Sequence, residues 1–112
     1  MKVKDIAEKL KLNIFSGEDS LNTEVNGAYT SDLLSDVMGN AEADSLWITM
    51  QTHINIVAVA SLKDLAAIII VKGNKPDEDT LLQSKKEGIS ILGTDEQAFE
   101  ISGKIYNLLK KE

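Results

Sequence analysis

Apolar positions in this chain recur three and four residues apart in some stretches and run almost unbroken in others. The switches between the two patterns mark out the elements. Val3, Ile6, Ala7 and Leu10 share one helical face, which predicts an amphipathic helix over Val3 to Leu10. Leu12 to Phe15 reads as a short strand and Ser16-Gly-Glu-Asp-Ser20 as a turn. Glu24 to Tyr29 is a second strand, with Gly27 marking a bulge or a close backbone approach. Thr30 or Ser31 is placed to cap a helix over Asp32 to Met38, with Leu33, Leu34, Val37 and Met38 as its apolar stripe and Gly39 as its stop.

The stretch Ser45 to Gly73 carries the densest run of apolar residues. Leu46 to Met50 fits a strand, and Ala66 to Val71 fits another. Between them, Ile54 to Leu62 suits either period. The strand on each side, and Thr52 as a cap, favour a helix. Pro76 suits the first turn of the next helix, whose positive end would lie beside Asp77, Glu78 and Asp79; Leu81 and Leu82 would bury and Gly88 would end it. Ile89 to Leu92 is a further strand. Thr94 to Gln97 reads as a capping box opening a last helix, with Phe99, Ile101, Ile105, Leu108 and Leu109 turned inward and Lys110 and Lys111 at its carbonyl end.

Strand and helix alternating from Leu46 to Leu109 predict an α/β fold, with a mainly parallel sheet and right-handed βαβ crossovers. The first third adds one or two strands and two helices. With 112 residues and no linker or low-complexity segment, residues 1–112 are expected to form a single domain.

Composition narrows the classes. The chain has no cysteine, which excludes disulfides, thiolate zinc sites and thiol catalysis. A net charge of −6 opposes nucleic-acid phosphate, and no local basic patch offsets it. Lys2-Val-Lys-Asp-Ile-Ala-Glu-Lys-Leu10 resembles the first helix of a helix-turn-helix, but the residues after it form no basic recognition helix. The start lacks the apolar run of a signal peptide and no segment reaches membrane-span length, so the expectation is a cytoplasmic protein that binds neither nucleic acid nor membrane.

In open α/β sheets, ligands sit beyond the carboxyl ends of the strands, where helix N-termini converge. Three such ends can be named here: Gln51 to Asn55, Val71 to Lys75, and Leu92 to Asp95. The candidate ligand residues are Thr52, His53, Asn55, Lys72, Gly73, Asn74, Gly93 and Thr94. Lys72 and Lys75 favour a small anion such as a phosphate or nucleotide. The competing reading is that caps and glycines occur at every strand–helix junction and Gly73 and Gly93 merely serve turns. His53 is the lone histidine, without companions at metal-ligand spacing. No phosphate loop, dinucleotide fingerprint or nucleophile elbow is present. No catalytic set, metal or cofactor is therefore expected.

A helix that is apolar around its circumference must be covered on several sides. Ile54, Val57, Ala58, Val59 and Leu62 are accordingly expected to face a second copy, in a twofold homodimer.

The segments VNGAYTSDLLSDVM, WITMQTHINIVAVASLKDLAAIIIVKGNKPDEDTL and EGISILGTDEQAFEISGKIY together resemble the DRTGG domain family, in its small stand-alone form. The resemblance runs from the opening helix to Tyr106. Where the family usually carries Asp-Arg at a helix start, this chain has Thr52-His53, with Asn55 at the place of a second acid. Val71-Lys72-Gly73 stands where Thr-Gly-Gly is usual, and Pro76 matches the proline that commonly follows. The resemblance implies a layered α/β fold like the amino-terminal domain of HPr kinase/phosphorylase, without that enzyme's separate phosphate-loop domain. It also implies a regulatory or dimerising module without a catalytic role. Such domains occur between CBS domains of some pyrophosphatases and in some phosphotransacetylases. Stand-alone members are often encoded near iron-hydrogenase or electron-transfer subunits, which implies a protein partner in a redox or metabolic complex. The two functional readings are thus a homodimeric ligand-binding regulator and a ligand-free scaffold.

Overall fold

The computed structural model describes residues 1–111. A five-stranded sheet runs in the order β1-β5-β4-β3-β2, where β1 is Asn13–Ser16, β2 Gly27–Thr30, β3 Ser45–Thr49, β4 Ala67–Ile70 and β5 Ile91–Gly93. Strands β2 to β5 are parallel and only β1 is antiparallel, so the predicted sheet is observed. The helices are α1 (Val3–Lys9), α2 (Leu34–Asn40), α3 (Asn55–Leu62), α4 (Glu78–Glu87) and α5 (Ala98–Lys110), with a short 3₁₀ turn at Glu18–Ser20.

Two apolar clusters divide the helices between the faces of the sheet. On one face, Val3, Ile6 and Ala7 of α1 and Ile101 and Ile105 of α5 pack against Leu46, Ile48, Ala67, Ile69 and Leu92. On the other, Val37 of α2 and Ile56, Val57, Val59 and Ala60 of α3 pack against Trp47, Ile68, Ile70 and Ile91. Strands covered on both faces have no polar side to show, so β4 is the unbroken run Ala-Ile-Ile-Ile, buried throughout. Trp47 is fully buried, and its indole N–H donates to Ser31 O at 2.8 Å.

Several local expectations are corrected. Gly39 lies inside α2, which ends at Asn40 before extended Ala41. The residue capping α2 is Leu33, whose N–H donates to Ser31 Oγ at 3.2 Å. Thr52 does not cap α3; Ile54 holds that position. Thr94 accepts from Glu96 N–H at 3.2 Å in a loop turn, and α5 starts later, behind Gln97. Phe99 lies two residues, about 200° of helix turn, from Ile101 and so points away from the Ile101–Ile105 stripe, 84% exposed. In α4 the buried positions are Thr80 and Ser84, while Leu82 faces outward. Small polar residues let α4 approach closely, and their hydroxyls are partnered: Thr80 donates to Thr52 O at 2.9 Å, and Ser84 shares a 2.6 Å bond with Ser16.

The greatest correction concerns α3. Its neighbours on the same face are α2 on one side and α4 on the other. The chain therefore covers it on three sides by itself. Val57 and Val59 are buried within the subunit, and the residues of the expected interface that remain outward are Ile54, Ala58 and Leu62. A central helix of a three-layer domain needs no second subunit to hide most of its surface.

Candidate functional site

The direction of the crossovers decides where ligand-binding residues can gather. From β2 to β5 the chain steps across the sheet one way, so α2, α3 and α4 all lie on one face. After β5 the chain turns to the other face as α5. The loops leaving β4 and β5 consequently part, one toward each layer. This divergence is the counterpart here of the crevice at which open α/β sheets hold ligands.

Lys72 to Asn74 leave β4 at this point, and Gly93 to Glu96 leave β5. Lys72 and Gly73 both adopt left-handed backbone, with φ of 63° and 70°. For lysine that conformation is uncommon and mildly strained. It is held by backbone bonds to the neighbouring loop: Lys72 N–H donates to Glu96 O at 2.9 Å and Gly73 N–H to Thr94 O at 2.9 Å. Asn74 N–H turns back to Val71 O at 3.2 Å. Three successive amides of the loop are thus satisfied by the protein and are not directed at open space. The exposed Lys72 and Lys75 side chains supply positive charge, set against the exposed carboxylate of Asp95. A Cβ added at Gly73 would lie 3.1 Å from Asp95 Oδ1.

The other predicted residues separate into two groups. Thr52 joins the β3 loop to α4 through its carbonyl, which accepts from Asp77 N–H at 3.1 Å and from Thr80. His53 and Asn55 are exposed at the start of α3. Thr94 is brought against Gly73, as described, with its own N–H on Ile70 O at 3.0 Å. Gly93 has a packing role: a Cβ there would fall 2.3 Å from the Phe15 ring, so the missing side chain makes room for that ring over β5.

Sequence reasoning passed over Asp32 at the end of β2. Its carboxylate accepts from Thr49 Oγ1 at 2.9 Å and Met50 N–H at 2.8 Å, and its carbonyl accepts from Gln51 Nε2 at 2.9 Å. Asp32 so fixes the rim beside β3. Nearby, Asp36 accepts from Tyr29 OH at 2.8 Å and Asn40 Nδ2 at 2.9 Å. Bonds from Ser31 and Tyr29 hold the Asp36 carboxyl below its usual range, and the bond to Asp36 raises the Tyr29 phenol. Among the described residues, no group of three or more His, Asp or Glu could hold a metal ion, and no helix is long and apolar enough to cross a membrane.

One broad concavity lies away from this rim. It is a groove of about 1160 Å³ between α5 and the free edge of β2. A smaller hollow of about 460 Å³ lies between α3 and α4, beside Ile54, Ala58 and Leu62.

Comparison with solved structures gives a match over 91% of this chain, at a TM-score of 0.73 and 14% identity. Among the matching structures is the CBS and DRTGG regulatory region of a Clostridium perfringens pyrophosphatase, in complex with its activator, diadenosine tetraphosphate, to which these figures belong. The fold is that of a DRTGG-like domain. At this identity the likeness is one of fold, and this chain spans 44% of the matched chain's length. No family model matches the sequence, and no curated protein matches it either.

Proposed function

We propose that this chain is a non-catalytic regulatory module that works as a homodimer and binds a small anionic ligand, a phosphate or nucleotide, where the loops after β4 and β5 diverge. The observation that carries the reading is Lys72, an exposed cation held in left-handed backbone at the one strand end where the following helices part to opposite faces. Lys72 and Lys75 would meet the anion, with Thr52, His53, Asn55 and Asn74 along the adjoining rim. Because the amides of residues 72–74 are already bonded, recognition would rest on side chains. The pyrophosphatase region of the same fold, crystallised with a nucleotide activator, supports a nucleotide as the first ligand to try.

Thermal shift against diadenosine tetraphosphate, mononucleotides and inorganic phosphate tests this. A ligand that binds only the folded form raises the melting temperature by mass action, by about 2.7 kcal/mol of stability at a hundred times its Kd. Lys72→Ala combined with Thr94→Ala should abolish the rise. No shift with any of these compounds would defeat the ligand reading.

The occupied amides favour a second reading, a ligand-free scaffold within a redox or metabolic complex. That reading expects no thermal shift together with retained self-association. Two exposed apolar faces are open to a second copy: the Ile54, Ala58 and Leu62 stripe of α3, and the groove between β2 and α5.

A further inference from the structure

The two edges of the sheet are unlike. At the β1 edge the strand is antiparallel and its register shifts between Ile14 and Ser16, an irregularity that discourages further pairing. At the other edge β2 pairs with β3 in unbroken register and has no partner on its far side. Its four residues, Gly27-Ala28-Tyr29-Thr30, include no charge and no proline. Charges and prolines commonly blunt natural edges, and β2 carries neither.

The helix above that edge is equally unprotected. Phe99 is 84% exposed and Tyr106 is 66% exposed, and both line the groove with Ser102 and Leu109 of α5 and Ala28 and Thr30 of β2. Ser102 bonds Thr30 across the floor at 2.8 Å, which seats α5 directly over the edge strand. Gly103 lies between the two aromatics, where an added Cβ would meet nothing within the chain. A glycine inside a helix costs about 1 kcal/mol relative to alanine, and no contact within this chain accounts for it.

Resting on the homodimer reading above, we propose that two copies join through β2 and α5, with the β2 strands antiparallel across a twofold axis perpendicular to a continuous sheet. The spacing supports this occupant. Paired strands lie about 4.8 Å apart. Because α5 lies over β2 and β3, the twofold places the two α5 helices about 10 Å apart and antiparallel, within normal helix-packing range. Phe99 and Tyr106 of each copy then enter the groove of the other, and such an isologous contact closes on itself without growing into a fibre. Two aromatic side chains of this exposure bring about 300 Å² to an interface that needs roughly 800 Å² per partner, and the edge strands add to it.

Light scattering after size exclusion tests the full chain at micromolar concentration. The wild type should run at twice the 12.2 kDa of one chain. Phe99→Glu with Tyr106→Glu should run as a monomer, its dissociation constant raised by ~100-fold or more as expected for lost aromatic anchors. Both positions are exposed, so circular dichroism and Trp47 emission should stay native. Ala28→Lys, which charges the exposed edge at a side chain that makes no hydrogen bond to α5, should dissociate the pair as well. Leu62→Asp should leave it intact. A dimer that survives both changes at the β2–α5 face, or is lost on Leu62→Asp alone, overturns this interface while leaving the homodimer reading in place. A monomeric wild type overturns both.

Discussion

Glycines at two positions separate the demands of turns from those of helices. Gly17 has φ 80°, and a Cβ there would fall 2.4 Å from the Ile89 carbonyl oxygen and the Ser90 Cα, both backbone. Gly17→Ala should therefore destabilise by about 2–4 kcal/mol in urea titrations followed by Trp47 emission. Gly39 lies inside α2 with open space around it, so Gly39→Ala should stabilise by about 0.5–1 kcal/mol in the same assay. Asp36 and Tyr29 add a pH term. A carboxyl lowered in the fold contributes stability that is present above its unfolded pKa and lost as pH falls through the lowered value. A phenol raised in the fold contributes stability present below its unfolded pKa and lost as pH climbs through the raised value. Tyr29→Phe removes one of the bonds to Asp36, so carboxyl-detected NMR titration should show Asp36 moving back up toward ordinary carboxylate values. An unchanged Asp36 would show that Ser31 and Asn40 suffice. At this scale the sequence was a partial guide: it marked Thr52, Lys72 and Thr94 as rim residues, but not that Gly93 makes room for Phe15. That ring lies on β1, far away in the chain, and no local spacing reports it.

Among the elements, α3 shows most clearly what periodicity can and cannot decide. Its apolar residues suited either period, and the strands on each side were what favoured the helix that is observed. Those residues also suggested an uncovered circumference, because the flanking helices α2 and α4 are specified by tertiary placement and not by α3 itself. Val59→Asp puts a carboxylate into the chain's own core and should destabilise by about 3 kcal/mol or more, whereas Leu62→Asp, at a side chain 72% exposed, should change stability by less than about 0.5 kcal/mol. Equal effects would mean that the two sides of α3 have been confused. Helix starts were the least legible feature. The Thr94 capping box and the Thr52 cap both matched sequence rules, yet Thr94 Oγ1 accepts from Glu96 N–H in a loop turn ahead of α5, and α3 begins behind Ile54, two residues past Thr52. Helix α4 was expected to bury Leu81 and Leu82, but it packs through Thr80 and Ser84, whose contacts with Thr52 and Ser16 exist only in the assembled fold.

For the whole molecule, the parallel sheet followed from the alternation of elements. The assignment of helices to faces needed the strand order. That order sends α4 and α5 to opposite layers, so the loops after β4 and β5 head to different faces beside Lys72, the position proposed above for the ligand. Lys72→Gly tests whether the strained lysine serves a ligand. Glycine accepts a φ of 63° freely, so stability should fall by less than about 0.5 kcal/mol while any ligand-induced thermal shift is lost. The direct measurement is a titration of the isotope-labelled chain with diadenosine tetraphosphate and then inorganic phosphate, followed by amide chemical shifts. Saturable shifts centred on Lys72 to Asn74 and Thr94 to Glu96, with His53 at their margin, are the predicted result. Amides that stay still there through millimolar ligand, or shifts confined to β2 and α5, would contradict it.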